Sequence, residues 1–236
     1  MATDLIERVE ALTVSLPLQR PLWASGLRIT LRDFLVVRVT LAGGRCGYGF
    51  HKSRGVALDR IVKDNLAPLL LGESPWNVER LWQRMHESTL LAGRTGAVLR
   101  TIGTVDIALW DLRAQLAGVP LHRLLGGYRE ECEALLVTGY YEEDPLDWEP
   151  MTRQLATWRA EGGSFFKIAA GMLAPEVDES RIAVAREAIG PEAALAADVN
   201  GVWTDVKHAL RTARLWEKHR LRWIEDPFPT DQNAKR

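Results

Sequence analysis

Between Val9 and Phe50 the apolar residues come in short, β-branched runs. Val9–Leu16 and Phe34–Leu41 both read as strands. Gly43-Gly44 then turns the chain into residues 45–50, so the pattern predicts an antiparallel hairpin. Pro21–Gly26 reads as a loop. From Val56 onward the period lengthens to that of a helix. Apolar residues fall at 58, 61, 62, 66 and 69 in a first helix, and Val78, Leu81, Trp82 and Met85 mark a second over 77–91. Val98, Ile102, Val105, Ala108, Leu109, Leu112 and Leu116 mark a third over 95–117, which Gly118 and Pro120 stop.

After Gly126-Gly127 the pattern changes again. Strands predicted at 132–138, 164–168, 194–198 and 222–225 alternate with amphipathic helices at 147–161, 176–189 and 204–219. Regular strand–helix alternation with apolar strands means a parallel sheet covered by helices. A closed eight-stranded barrel takes about 250 residues. Residues 128–236 supply 109 positions, enough for four strands, so this part is either a small open sheet or the first half of a barrel.

Composition narrows the partners. Thirty Lys and Arg stand against 31 Asp and Glu, a net charge of −1, which gives no electrostatic reason to expect nucleic acid or an anionic membrane. No apolar run approaches the ~20 residues that span a bilayer, and Met1–Glu7 has no apolar stretch of the kind that begins a signal peptide. Cys46 and Cys132 match no metal or redox spacing and read as free thiols in a reducing cytoplasm.

Chemistry is concentrated at strand ends. Asp198, in Ala196-Ala197-Asp198-Val199-Asn200, and Glu225, in Trp223-Ile224-Glu225-Asp226-Pro227, each close an apolar run. They lie 27 positions apart, and Lys167 stands 31 positions before Asp198, so each follows its neighbour by one strand–helix unit. Alternation puts Lys167 with Ala169, Asp198 with Ala196 and Asn200, and Glu225 with Trp223 on one face. Two carboxylates from adjacent strands suit a hard, oxygen-seeking cation such as Mg²⁺, with water, substrate or a further ligand completing the shell. The competing interpretation is that both acids cap the helices that follow them. In the long helix, Asp106 reads as structural and Trp110 as an apolar anchor. Tyr140 and Tyr141 either line the mouth of the site or pack as aromatics.

The stretch Gly103-Thr104-Val105-Asp106-Ile107-Ala108-Leu109-Trp110-Asp111-Leu112, with Gly118-Val119-Pro120-Leu121 and Leu124-Leu125-Gly126-Gly127, resembles the enolase superfamily. Within it the chain is most similar to the mandelate racemase and muconate lactonizing enzyme group. Phe166-Lys167-Ile168, Asp198-Val199-Asn200 and Trp223–Pro227 match that group in the same order. The resemblance implies an α+β capping domain over residues 1–126 and the first four strands of a modified TIM-type barrel over 127–236.

Position by position, the resemblance implies that Asp198 and Glu225 are two of three carboxylate ligands to Mg²⁺, the third belonging to the next strand. It implies that Lys167 is a catalytic lysine supporting the substrate carboxylate, and that Asn200 touches substrate. Trp23 and His51 fall in the two capping loops that set specificity, over Pro21–Gly26 and His51–Gly55. The family's second lysine, commonly the general base, is replaced by Ala169, whose methyl cannot accept a proton.

The implied reaction is removal of the proton next to a carboxylate. Dehydration of a sugar acid is the first expectation, with racemisation or cycloisomerisation next, on a small-molecule carboxylate and in a homo-oligomer if full length. The alternative expectation is a truncated or split fragment, inert or needing a complementing chain.

Overall fold

The computed structural model of the protein describes residues 2–229. These divide into two compact units. One holds residues 2–17 with Leu31–Glu131, and the other holds Leu18–Thr30 with residues 132–229. The sequence boundary at 126/127 follows chain order, whereas packing gathers the hairpin tip Leu18–Thr30 with the later residues.

A three-stranded sheet has the order β1 (Ile6–Ala24), β2 (Leu27–Leu41) and β3 (Cys46–Lys52), and all of it except the hairpin tip Leu18–Thr30 belongs to the first unit. β2 and β3 are antiparallel, with Val37 opposite Gly49 and Val39 opposite Gly47. The inward set Leu35, Val37, Val39 and Leu41 is buried, as period-two alternation requires. The chain then forms α1 (Leu58–Ile61), one π turn (Val62–Leu66) and α2 (Ala67–Leu70). A single helix over 56–70 was expected. Pro68 has no N–H to continue the regular ladder, and the register widens just before it. α3 (Val78–Ser88) and α4 (Ala97–Ala117) complete the core, and α5 (Leu121–Leu124) follows.

α4 lies tight against β3 because Gly47 and Gly49 carry no side chain. A Cβ at Gly47 would overlap Ala108 O and stand 2.6 Å from Leu112 Cγ, and one at Gly49 would overlap Thr104 O. α4 also covers the polar edge of β3. The Tyr48 N–H donates to Asp111 Oδ2 at 2.9 Å, and Gln115 Nε2 donates to Cys46 O at 2.9 Å. These side chains satisfy groups that an outermost strand otherwise leaves open. Gly118, left-handed at φ 66°, ends α4 with its N–H on Gln115 O and the Val119 N–H on Ala114 O.

Pro21–Gly26 is not the loop expected from its proline. β1 continues through Ala24, and only Ser25 and Gly26 turn, at φ 53° and 73°. Two consecutive left-handed residues match the right-handed twist of the strands they join. Proline at 21 is tolerated because β1 is an outer strand of the three-stranded sheet.

The second unit contains a four-stranded parallel sheet in the order β4 (Leu136–Thr138), β5 (Phe165–Ala169), β6 (Ala194–Asp198) and β7 (Ile224–Glu225). The connecting helices are α6 (Glu149–Ala160), α7 (Pro175–Ile189) and α8 (Val206–Trp216). Every residue of β5 is buried, as expected of a central parallel strand. β4 and β7 are shorter than 132–138 and 222–225. Each has a hydrogen-bonded neighbour on one side only among the described residues. The helices pack Leu155, Ile182, Ala185, Ile189 and Trp216 against Phe166, Ile168, Leu195 and Ala197.

Candidate active site

The other face of the parallel sheet carries Lys167, Asp198 and Glu225. In register, Lys167 lies level with Ala196, while Ala169, Asp198 and Glu225 lie one layer further toward the strand ends. The alanines at 194 and 196 leave room beside Lys167, so its ammonium reaches up to both acids. Lys167 Nζ is 2.6 Å from Glu225 Oε1 and 3.1 Å from Asp198 Oδ2. The remaining carboxylate oxygens are also held. The Asn200 N–H donates to Asp198 Oδ1 at 2.9 Å, and Trp223 Nε1 donates to Glu225 Oε2 at 3.1 Å.

Burial alone would lower the Lys167 ammonium, but its hydrogen bonds to Glu225 and Asp198 outweigh that and raise its pKa. For Glu225, burial pushes upward, while the Lys167 and Trp223 hydrogen bonds prevail and hold it below the usual carboxylate range. Both shifts favour the charged pair.

The helix-capping alternative fails for Asp198. The cap of α8 is Asp205, which accepts from the His208 N–H at 2.7 Å, whereas Asp198 closes an Asx turn onto Asn200. Asn200 is left-handed at φ 56°, and its Nδ2 returns to Asp198 O at 3.1 Å. The following loop is laced to the end of β7 by Val199 N–H to Glu225 O, Gly201 N–H to Asp226 O and Trp203 N–H to Pro227 O. Lys167, Asp198, Glu225 and Asn200 are therefore joined in one hydrogen-bonded group.

A second polar group lies beneath the same strand ends. Asp178 is fully buried and accepts from the Tyr141 hydroxyl, and at 2.9 Å from each of the Gly171 and Leu173 N–H groups. Arg181, also buried, donates to Gly139 O and Ala169 O, with its guanidinium over the Tyr141 ring. Burial raises both the Asp178 carboxyl and the Tyr141 phenol. The group ties the loop after β4 to the loop after β5. Tyr141 is thus a buried anchor, a role its sequence position left open. The one available signal was Asp178 and Arg181 at helical spacing beside Val177 and Ile182.

Trp23 lies in the hairpin tip of the same unit. Its N–H donates to Tyr141 O at 2.8 Å, and Arg20 and Arg28 pair with Glu142 and Glu143. His51 lies in the other unit, exposed near the end of β3. Burial first, and then Arg100, Arg54 and Lys52, lower its pKa.

Comparison with known proteins identifies the family. Residues 8–126 match the family described as mandelate racemase / muconate lactonizing enzyme, N-terminal domain, and residues 150–236 match enolase C-terminal domain-like. The chain belongs to the enolase superfamily, in the mandelate racemase and muconate lactonizing enzyme group. Arabinonate dehydratase of Saccharolobus solfataricus is 32% identical over 201 residues, covering 84% of this chain and 53% of that protein. A 3,6-anhydro-alpha-L-galactonate cycloisomerase of Streptomyces coelicolor is 32% identical over 232 residues, covering 96% and 63%. The crystal structure of a racemase from Streptomyces coelicolor with bound magnesium superposes with a TM-score of 0.89 at 32% identity, covering 98% of this chain and 65% of that one. The chain thus spans between about half and two thirds of the length of these superfamily members. The matches fall on both portions of the chain and lend no support to the inert-fragment alternative.

The donor chemistry fits magnesium. Asp198 and Glu225 present carboxylate oxygens to a common point that already holds a cationic group, and neither thiolate nor imidazole is among them. Hard divalent cations take such oxygens. Among the described residues no set of three or more Asp, Glu, His or Cys side chains stands together as a metal cage. Also among the described residues, no helix is long and apolar enough to cross a membrane.

Proposed function

We propose that this protein takes part in removing the proton adjacent to a carboxylate, with a sugar acid as substrate and dehydration as the outcome. Racemisation or cycloisomerisation comes next. The observation that carries this reading is the convergence of Lys167, Asp198 and Glu225 from three adjacent parallel strands at 2.6 and 3.1 Å.

Asp198 and Glu225 would hold Mg²⁺, which would supply positive charge where the substrate carboxylate gains negative charge. Enolase-superfamily sites are themselves a standard example of a Lys or His base working with Mg²⁺. The chain's own residues do the rest. Lys167 offers an ammonium to the substrate carboxylate, where negative charge develops. The Asn200 N–H and the Trp223 indole fix the orientation of the two acids. Ala169 leaves a methyl at the level of Asp198, so the proton acceptor is another group. Trp23 and His51 are proposed as specificity positions on the family resemblance alone. A homo-oligomer is proposed on the same ground.

The test is a panel of aldonic and aldaric acids incubated with the protein and Mg²⁺, with 2-keto-3-deoxy products measured. Turnover of at least one acid is expected, abolished in Asp198→Asn and in Glu225→Gln. Full turnover in either variant would remove these residues from the metal site. Racemised or cyclised products in place of keto acids would select the second reading.

A further inference from the structure

Both acids of the candidate site are already engaged by one side chain. Lys167 Nζ hydrogen-bonds Glu225 and ion-pairs with Asp198, and its side chain is 10% exposed. The other two oxygens carry neutral donors from Asn200 and Trp223. One positive charge therefore balances two negative ones where a divalent cation would seat. Ala169 is what allows this, because no other side chain on the inner face of β5 stands at the level of the acids.

We propose that Lys167 is an internal counter-cation that competes with the divalent cation for Asp198 and Glu225, and is released toward the substrate carboxylate when the cation binds. The proposal rests on the metal assignment made above. An ammonium and a divalent cation repel each other at such separations, and a partly buried setting screens that repulsion poorly. Lys167 must therefore give up at least one of its carboxylates on cation binding.

Charge balance then sets an order. Two acids and Lys167 carry −1. Adding a divalent cation makes +1, and one substrate carboxylate restores neutrality. An anion approaching the cation-free site meets a negative group whose ammonium is occupied, so cation and anion bind with positive, reciprocal coupling.

The experiment is calorimetric titration of Mg²⁺ alone into the wild-type chain, Lys167→Met and Lys167→Arg, at one pH and ionic strength. Circular dichroism verifies that each variant is folded. Methionine keeps most of the stem and removes the charge, so Lys167→Met should bind Mg²⁺ about tenfold tighter or better, by the scale of an uncompensated, partly buried carboxylate pair. Lys167→Arg keeps the competing charge and should bind no tighter than wild type, which holds the test open should Lys167→Met fail to fold. Binding by Lys167→Met that equals or falls below a measurable wild-type affinity would overturn the competition while leaving the metal site standing, as would tighter binding by Lys167→Arg. Absence of binding in all three would overturn the metal assignment itself.

Discussion

Ala169 and Asp198 are register partners on adjacent parallel strands, a methyl beside a carboxylate. Ala169 is 3% exposed, so a longer side chain there must displace its neighbours. Ala169→Lys would bring a second ammonium to the level of the acids. Its expected effect on the Mg²⁺ titration is a weakening of about tenfold, opposite in sign to Lys167→Met. Overpacking should also lower stability by roughly 1–3 kcal/mol, measured by urea denaturation.

The buried group of Tyr141, Asp178 and Arg181 makes a separate prediction. The Tyr141 hydroxyl donates to Asp178 and accepts from the Met172 N–H at 3.3 Å. Tyr141→Phe keeps the ring under Arg181 but leaves both partners short of a hydrogen bond, a cost of about 1–3 kcal/mol. Arg181→Ala strips the carbonyls of Gly139 and Ala169 of their guanidinium donors and takes the cation away from the Tyr141 ring, and a loss of about 1–3 kcal/mol for each carbonyl left unpaired is expected. Denaturant titration would measure both. If Tyr141→Phe were as stable as wild type, the group would not be the anchor of these loops.

Gly49→Ala tests the contact between β3 and α4. The added methyl would overlap Thr104 O, a backbone atom that no rotamer change can move aside. The helix would have to shift, and a loss of about 3 kcal/mol is expected. A midpoint in urea unchanged from wild type would mean that α4 is not held at this distance in solution.

Asp106, on α4, gives a pH signature. Burial first and then Glu79 raise its carboxyl to about 6 from 3.8, against the opposing pull of Arg113. The native state then holds a proton that the unfolded chain has released. Stability contributed here is full below about pH 4 and falls as the pH rises through about 6. Asp106→Asn should therefore melt at a higher temperature than wild type at pH 7–8, with the gap closing toward pH 4. A gap that stays constant across that range would assign the difference to something other than this proton.

The sequence by itself determined the succession of elements, because burial patterns leave periods that can be counted. Leu35, Val37, Val39 and Leu41 give the inward face of β2, and the apolar spacing of α4 gives the helix that covers it. The strand-end positions of Asp198 and Glu225, and the place of Lys167 on the same face one layer below, were legible for the same reason. Alternation fixes their common face, and one strand–helix unit separates each from the next.

Tertiary structure decided what depends on meetings between distant residues. The turn at Ser25 and Gly26, inside a stretch that proline marks as a loop, depends on strand pairing. The role of Asp111 depends on the open N–H of Tyr48, 63 positions away. Tyr141 as partner of Asp178, 37 positions away, depends on which side chains the fold brings together. Spacing records which face a residue occupies. Whether the Lys167 ammonium stands free or spans two carboxylates is set by the layer-by-layer register of three strands and by the alanines that leave it room.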